Sequence, residues 1–241
     1  MKSKLTLLFF LIITFSSGQA SNYYIDKLGR IIDQKRYKQE KSNSLEQVQK
    51  KMNSMQIVDE IYELYHQNDS VVYSYTWHFT ENPQKTREGI ERKKAIIGKI
   101  FPFEKETTLD GQLITIDDLK GKPTLINLWF TSCSPCIEEM PVLNELKLKY
   151  GEKFNFLSIT MDSKSKVKKL LEKHEFTFTH IVNAKRITNT LGFYGYPVNV
   201  FLDKEGVVKI IEGNVPIYEN ENGELVMSDG IEFIQILEKL L

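Results

Sequence analysis

The chain is poor in cysteine, poor in histidine and without net charge. Its 241 residues include two cysteines and four histidines, and Lys plus Arg number 32 against 32 for Asp plus Glu. The balanced charge argues against a nucleic-acid footprint, which needs a basic excess on one face. A structural zinc needs four ligands, and the sequence offers no second cysteine pair and no His-x-His cluster. No metal site is therefore expected, and His66, His78, His174 and His180 read as surface or structural histidines. Long apolar runs are lacking too. The N-terminal run Leu5–Phe15 is broken by threonine and falls short of the roughly 18–20 residues that span a bilayer.

That run has another reading. Lys2 and Lys4 form a basic start, and Ser16, Ser17, Gly18 and Ala20 supply small residues around a cut after Ala20. Residues 1–20 are expected to be a cleaved export signal, with a retained membrane anchor as the alternative. No cysteine follows the run, which argues against a lipid anchor. The expected location is extracytoplasmic, in the periplasm or cell envelope.

The two cysteines are Cys133 and Cys136. Outside the cytoplasm a structural bridge is the usual reading of a cysteine pair. A bridge stabilises by closing a loop, however, and one across two residues constrains almost no chain. The redox reading is stronger. Leu125, Ile126, Leu128, Trp129 and Phe130 form a near-continuous apolar strand that runs into Cys133, and a helical pattern follows. A helix N-terminus lowers the pKa of the first thiol and sets the second one turn on.

The rest divides into two regions. In residues 21–98, Tyr23–Asp33 reads as two short strands and Lys35–Ser44 as a loop. Ser44 and Gln47 read as a capping box for a helix bearing Leu45, Val48, Met52, Met55, Val58, Tyr62 and Tyr65. Val71–Phe79 alternates as a half-buried strand. Glu81–Lys94 reads as linker or exposed helix. Nothing in this small α+β region carries recognisable chemistry. In residues 99–241, strands at Leu113–Ile116, Thr124–Phe130, Phe154–Thr160, Thr179–Val182, Pro197–Leu202 and Val207–Glu212 alternate with helical patterns. Val215–Met227 reads as an added hairpin, and Ser228 or Asp229 as the cap of a last helix. This is an α/β domain with helices on both faces of a mixed sheet.

The segment Trp129–Cys136 resembles the W-x-x-W-C-x-P-C signature of thioredoxin-fold proteins. With Ile137-Glu138-Glu139-Met140-Pro141 it resembles the extracytoplasmic TlpA/ResA-type thiol–disulfide oxidoreductases. Gly195-Tyr196-Pro197, just before a strand, resembles the family's cis-proline loop. The resemblance covers about Phe101–Leu241 and implies a thioredoxin-like fold. Two departures from thioredoxin proper stand out. Asn127 occupies the place of its buried acid, and Glu139 matches the acid of the TlpA/ResA branch. Ser132 replaces the usual tryptophan before the first cysteine, which implies a more exposed Cys133.

The resemblance and the residues together assign roles. Cys133 is the nucleophile and Cys136 the resolving thiol. Ser134 and Pro135 shape the turn between them, and Pro141 kinks the helix. Glu139, one turn past Cys136, would exchange its proton, whereas most helix glutamates are merely solvated. Tyr196 and Pro197 would line the substrate groove. Trp129 packs beneath the motif, and Asn127 is a buried, hydrogen-bonded side chain.

The expected function is an exported protein-disulfide reductase acting on envelope proteins. It needs no dissociable cofactor, and a membrane thiol-reducing electron donor would recharge it. The rivals are a disulfide oxidase or isomerase, a thiol peroxidase supported only by Thr131, and a partner-binding module built on the aromatic strand Tyr73–Phe79.

Overall fold

The computed structural model describes residues 22–26, 30–67, 69–193, 195–220 and 222–241. The expected export signal and the turn at 27–29 lie outside the described residues. The described chain forms two compact units, dividing between Pro83 and Gln84.

The first unit is a four-stranded sheet with one helix. Strands β1 (Asn22–Ile25) and β2 (Ile31–Asp33) pair antiparallel, as do β3 (Gln56–Gln67) and β4 (Ser70–Thr80), and β1 joins β4 in parallel. Helix α1 spans Gln34–Gln49, and its N-cap Asp33 accepts from the amide of Arg36. Its buried Tyr37 stacks on Tyr24 at 3.9 Å between ring centroids and meets Tyr75 edge-on. A strand face rich in tyrosine thus closes a core that few aliphatic residues could fill.

The helix expected from Leu45 to Tyr65 is a correction. The helix begins at the polar stretch read as a loop and ends at Gln49, and β3 takes over at Gln56. Leu45 and Val48 lie near the end of α1, whereas Val58 and Glu60 are buried two residues apart on one face of β3. The glutamate disguised that period. Glu60 is buried because its Oε2 meets His78 Nε2 at 2.6 Å across the β3–β4 pair, where apolar alternation would have revealed the strand.

Helix α2 (Pro83–Ile96) starts at the division, and the second unit continues with the short antiparallel pair β5 (Lys105–Thr107) and β6 (Leu113–Thr115). Its main sheet contains β7 (Thr124–Trp129), β8 (Asn155–Thr160), β9 (Thr179–Ile181), β10 (Val198–Leu202) and β11 (Val208–Glu212), in the order β11-β10-β7-β8-β9. Strands β7, β8 and β9 are parallel, and β10 and β11 run antiparallel to their neighbours. This is the mixed, thioredoxin-like sheet expected. Every residue of β7 is buried, because both faces are covered. Helices α3 (Ser134–Tyr150), α4 (Lys164–Leu171) and α6 (Ile231–Glu238) contribute to the core on the face of Leu125 and Trp129. Helix α5 (Lys185–Leu191), with Phe101 and Phe103, covers the face of Ile126 and Leu128. Strands β12 (Ile217–Glu219) and β13 (Leu225–Met227) form the added hairpin.

The cap of α6 is a second correction. The N-cap is Gly230, at φ 74°, and a Cβ there would come within 2.9 Å of Leu146 Cδ1. Ser228 and Asp229 instead accept from the amides of Gly230 and Ile231, shaping the approach to the helix. Left-handed backbone against α3 needs glycine on both counts.

Candidate active site

Strand β7 delivers the chain to the redox pair. After Trp129, the amide of Cys133 donates to the carbonyl of Phe130, and Cys133 becomes the N-cap of α3. Its sulfur accepts from the amide of Cys136 at 3.3 Å. The two cysteines are joined as a disulfide, with Cα atoms 5.3 Å apart. In the reduced state that amide and the helix N-terminus would favour the thiolate of Cys133. Pro135 lies in the first turn, where a missing N–H costs no helical bond, and Ser134 donates to Glu138 Oε1 at 3.0 Å. Pro141 lies inside the helix, where it withholds an amide from the carbonyl four residues back.

The exposed Cys133 implied by Ser132 is corrected. Cys133 is 4% exposed and Cys136 is fully buried. Both belong to the cluster that includes Trp129, and Phe130, Ile137 and Tyr196 pack against that cluster. The aromatic margin provides the cover that a tryptophan at Ser132 would otherwise give.

Glu139 is fully buried, one turn beyond Cys136. Its Oε1 accepts from Asn127 Nδ2 at 2.7 Å and its Oε2 from the Val215 amide at 2.9 Å. Burial pushes its pKa up to about 7, against the opposing pull of the Val215 amide and the Asn127 and Asn199 side chains. Loss of solvent thus outweighs the two hydrogen-bond donors and the neighbouring Asn199 amide, and the carboxyl is poised to take or give a proton near neutrality.

Asn127 is buried on β7 and also donates to Asn199 Oδ1 at 2.9 Å, and Asn199 Nδ2 donates to the carbonyl of Gly213 at 2.7 Å. The sequence reading missed Asn199. An asparagine amid the apolar run of β10 was the available signal, because a buried amide in a central strand requires partners. The register sets it directly opposite Asn127.

Thr131 and Asp162 were also missed as a pair. The amide and hydroxyl of Thr131 both donate to Asp162 Oδ2, at 2.7 and 2.8 Å, fixing the loop two residues before Cys133. Burial works to raise the Asp162 pKa, but the Thr131 donors and nearby Lys166 outweigh it and leave the carboxyl below its usual range.

The Tyr196–Pro197 peptide is cis. Pro197 is buried, and half-buried Tyr196 meets Phe130 edge-on at 5.4 Å. Trp129 lies fully buried against Phe176, and its Nε1 has no hydrogen-bond partner among the described residues. The structure therefore brings Cys133, Cys136, Trp129 and Tyr196 to one cluster, with Asn127 and Glu139 joined by a hydrogen bond behind the pair.

The redoxin family pattern matches residues 94–224. The thioredoxin-like protein YneN of Bacillus subtilis is 29% identical over 146 residues, covering 58% of this chain and 83% of that protein. The thiol-disulfide oxidoreductase ResA of Bacillus anthracis is 34% identical over 125 residues, covering 51% and 71%. The crystal structure described as a thiol:disulfide interchange protein DsbE from Chlorobium tepidum superposes with a TM-score of 0.49 at 20% identity, covering 60% of this chain and 98% of that one. The chain belongs to the redoxin family, as a thiol–disulfide oxidoreductase of the ResA type.

Proposed function

We propose that the chain is exported and reduces disulfides of envelope proteins through Cys133 and Cys136. The observation that carries the mechanism is the buried carboxyl of Glu139, one turn beyond Cys136 and titrating near neutrality. The reduced Cys133 thiolate attacks one sulfur of a substrate disulfide. A mixed disulfide forms and the other substrate sulfur leaves as a thiolate, which takes a proton from solvent. Glu139 accepts the proton of Cys136, whose thiolate attacks the Cys133 sulfur. The second substrate thiolate leaves and is protonated. Two electrons have passed to the substrate, and the enzyme holds the Cys133–Cys136 disulfide.

Tyr196 and Pro197 line the groove that receives the substrate strand in this reading. The cysteine pair carries the electrons, so no dissociable cofactor takes part. A membrane-bound thiol donor returns the pair to the dithiol. The basic start and short apolar run of residues 1–20 support export. Expression of the full chain with Cys136→Ser in a bacterial host, followed by non-reducing electrophoresis of the envelope fraction, tests the proposal. Mixed disulfides with envelope proteins are expected; a chain found only in the cytoplasm, or one that traps no partner, overturns it.

A further inference from the structure

Three side chains and the backbone of Gly213 and Val215 close a ring behind the cysteines. Asn127 Nδ2 donates to both Glu139 Oε1 and Asn199 Oδ1. Asn199 Nδ2 donates to the Gly213 carbonyl, and two residues on the Val215 amide donates to Glu139 Oε2. We infer that Asn199 is a positioning residue for the exchange reaction, fixing the Asn127 amide as a donor to Glu139. The inference rests on Glu139 being the proton carrier.

The direction of each bond follows from one fixed end. A backbone carbonyl can only accept, so Gly213 requires the NH2 group of Asn199. The Asn199 carbonyl oxygen must then face Asn127 and requires the NH2 group of Asn127 in turn. Both amide hydrogens of Asn127 are thereby committed, one to Asn199 and one to Glu139. Nothing else holds that amide, because Asn127 Oδ1 is buried with no hydrogen-bond partner among the described residues. If the amide turned over, its oxygen would face two acceptors, Glu139 Oε1 and Asn199 Oδ1. A protonated Glu139 could satisfy one of them. Asn199 could satisfy the other only by turning its own oxygen onto the Gly213 carbonyl. Asn199 therefore holds Asn127 in the orientation that favours the carboxylate over the acid.

Among the described residues no charged side chain contributes to the Glu139 shift. Glu139 is faced by Asn127 from β7, by Asn199 from β10 and by the Val215 amide from the segment after β11. On α3 the titratable neighbour is Cys136, one turn back, which becomes a thiol on reduction. The residues of α4 and α6 in the buried cluster of this face are hydrophobic, and the buried titratable His180 lies against Trp129 and Phe176 in that cluster. Removing Asn199 frees the Asn127 amide to turn and accept the Glu139 proton, so the acid form gains and the titration moves up.

The test is carboxyl NMR of the oxidised protein with 13C-labelled glutamate, with Glu139 assigned by its loss in Glu139→Gln. Asn199→Leu, with the same branching but no hydrogen-bonding groups, should raise the Glu139 midpoint by about half to one pH unit. Asn199→Thr keeps an oxygen that can accept from Asn127 and should move it less. An unmoved midpoint in folded Asn199→Leu, or equal shifts in both variants, overturns the inference. A wild-type measurement decides it even if the leucine variant does not fold. The two side-chain amide protons of Asn127 should give separate signals that both follow the Glu139 titration, and averaged or unresponsive signals overturn it. Insulin reduction by the wild type is assayed in parallel. Its absence would defeat the reductase reading while the titration still decides the role of Asn199.

Discussion

The carboxyl of Glu139 on α3 accepts a hydrogen bond from the amide of Val215, 76 residues further along the chain. The segment that leads from β11 into the β12–β13 hairpin is therefore part of the site. Val215 is itself fully buried, so the donor reaches the carboxyl without bringing water to it. The same contact explains why burial does not raise the Glu139 pKa further: one of its oxygens always faces an N–H.

Glu139→Gln should remove both a catalytic titration and a pH dependence of stability. In the wild type the resolving step slows as pH falls through about 7, because the carboxylate that takes the Cys136 proton is lost. The variant should be slower by about a hundredfold above that pH, with a flattened profile. For stability, the folded pKa lies above the ordinary value of 4.5. Its favourable contribution is complete below 4.5 and is lost as pH rises through about 7, a change of about 3 kcal/mol. Urea denaturation from pH 4 to 8 should show that slope in the wild type and lose most of it in the variant; equal slopes would return Glu139 to a passive role.

The burial of the two sulfurs predicts their order of reaction. Cys133 retains 4% exposure, whereas Cys136 has none. Iodoacetamide added to the reduced protein should label Cys133 at least about tenfold faster than Cys136, by peptide mass spectrometry. Cys133→Ser should abolish insulin reduction with dithiothreitol. Faster labelling at Cys136 would reverse the assignment of nucleophile and resolving thiol.

What the sequence disclosed and what it hid divide along one physical line. Strand β7, the cysteine pair, Glu139 and the Tyr196-Pro197 loop lie on local patterns: a buried apolar run, a fixed spacing, one helical turn, a proline before a strand. Asn199 and Asp162 are isolated polar residues whose meaning depends on partners far away in the chain, Asn127 across the strand pair and Thr131 in the loop after β7. β3 failed for a related reason. Glu60 looks solvated by residue type but is buried by its contact with His78, so the local pattern pointed to a helix. Buried polar pairs across strands carry no one-dimensional period, and they account for most of what the sequence concealed.

Asp162→Asn should loosen the loop before Cys133 and alter acid stability. The neutral amide can still accept from Thr131, but weakly, at a cost of about 1 kcal/mol near pH 7. The Asp162 carboxyl titrates below its ordinary 3.8. Its contribution is therefore present above 3.8 and is lost as pH falls through the lower folded value. Thermal melts should show a gap between wild type and variant at pH 7 that closes in strong acid. A gap independent of pH would mean that the variant disturbs packing instead of removing a charged acceptor.

Tyr196→Ala separates a substrate groove from ordinary packing. Tyr196 meets Phe130 edge-on, and both pack against the cluster that holds the cysteines. If a substrate strand lies along the Tyr196-Pro197 loop, losing the ring should raise KM for a protein disulfide about three- to tenfold, the range an aromatic contact supplies. A small disulfide such as oxidised glutathione reaches Cys133 without occupying the groove, so its kcat/KM should change little. Steady-state kinetics on both substrates supplies the comparison. An equal loss on the two would show that the ring supports the cysteine loop and does not receive the substrate. A loss confined to the protein substrate would place the polypeptide against Tyr196, because only a chain extending beyond the reacting sulfur can report on a side chain set beside it.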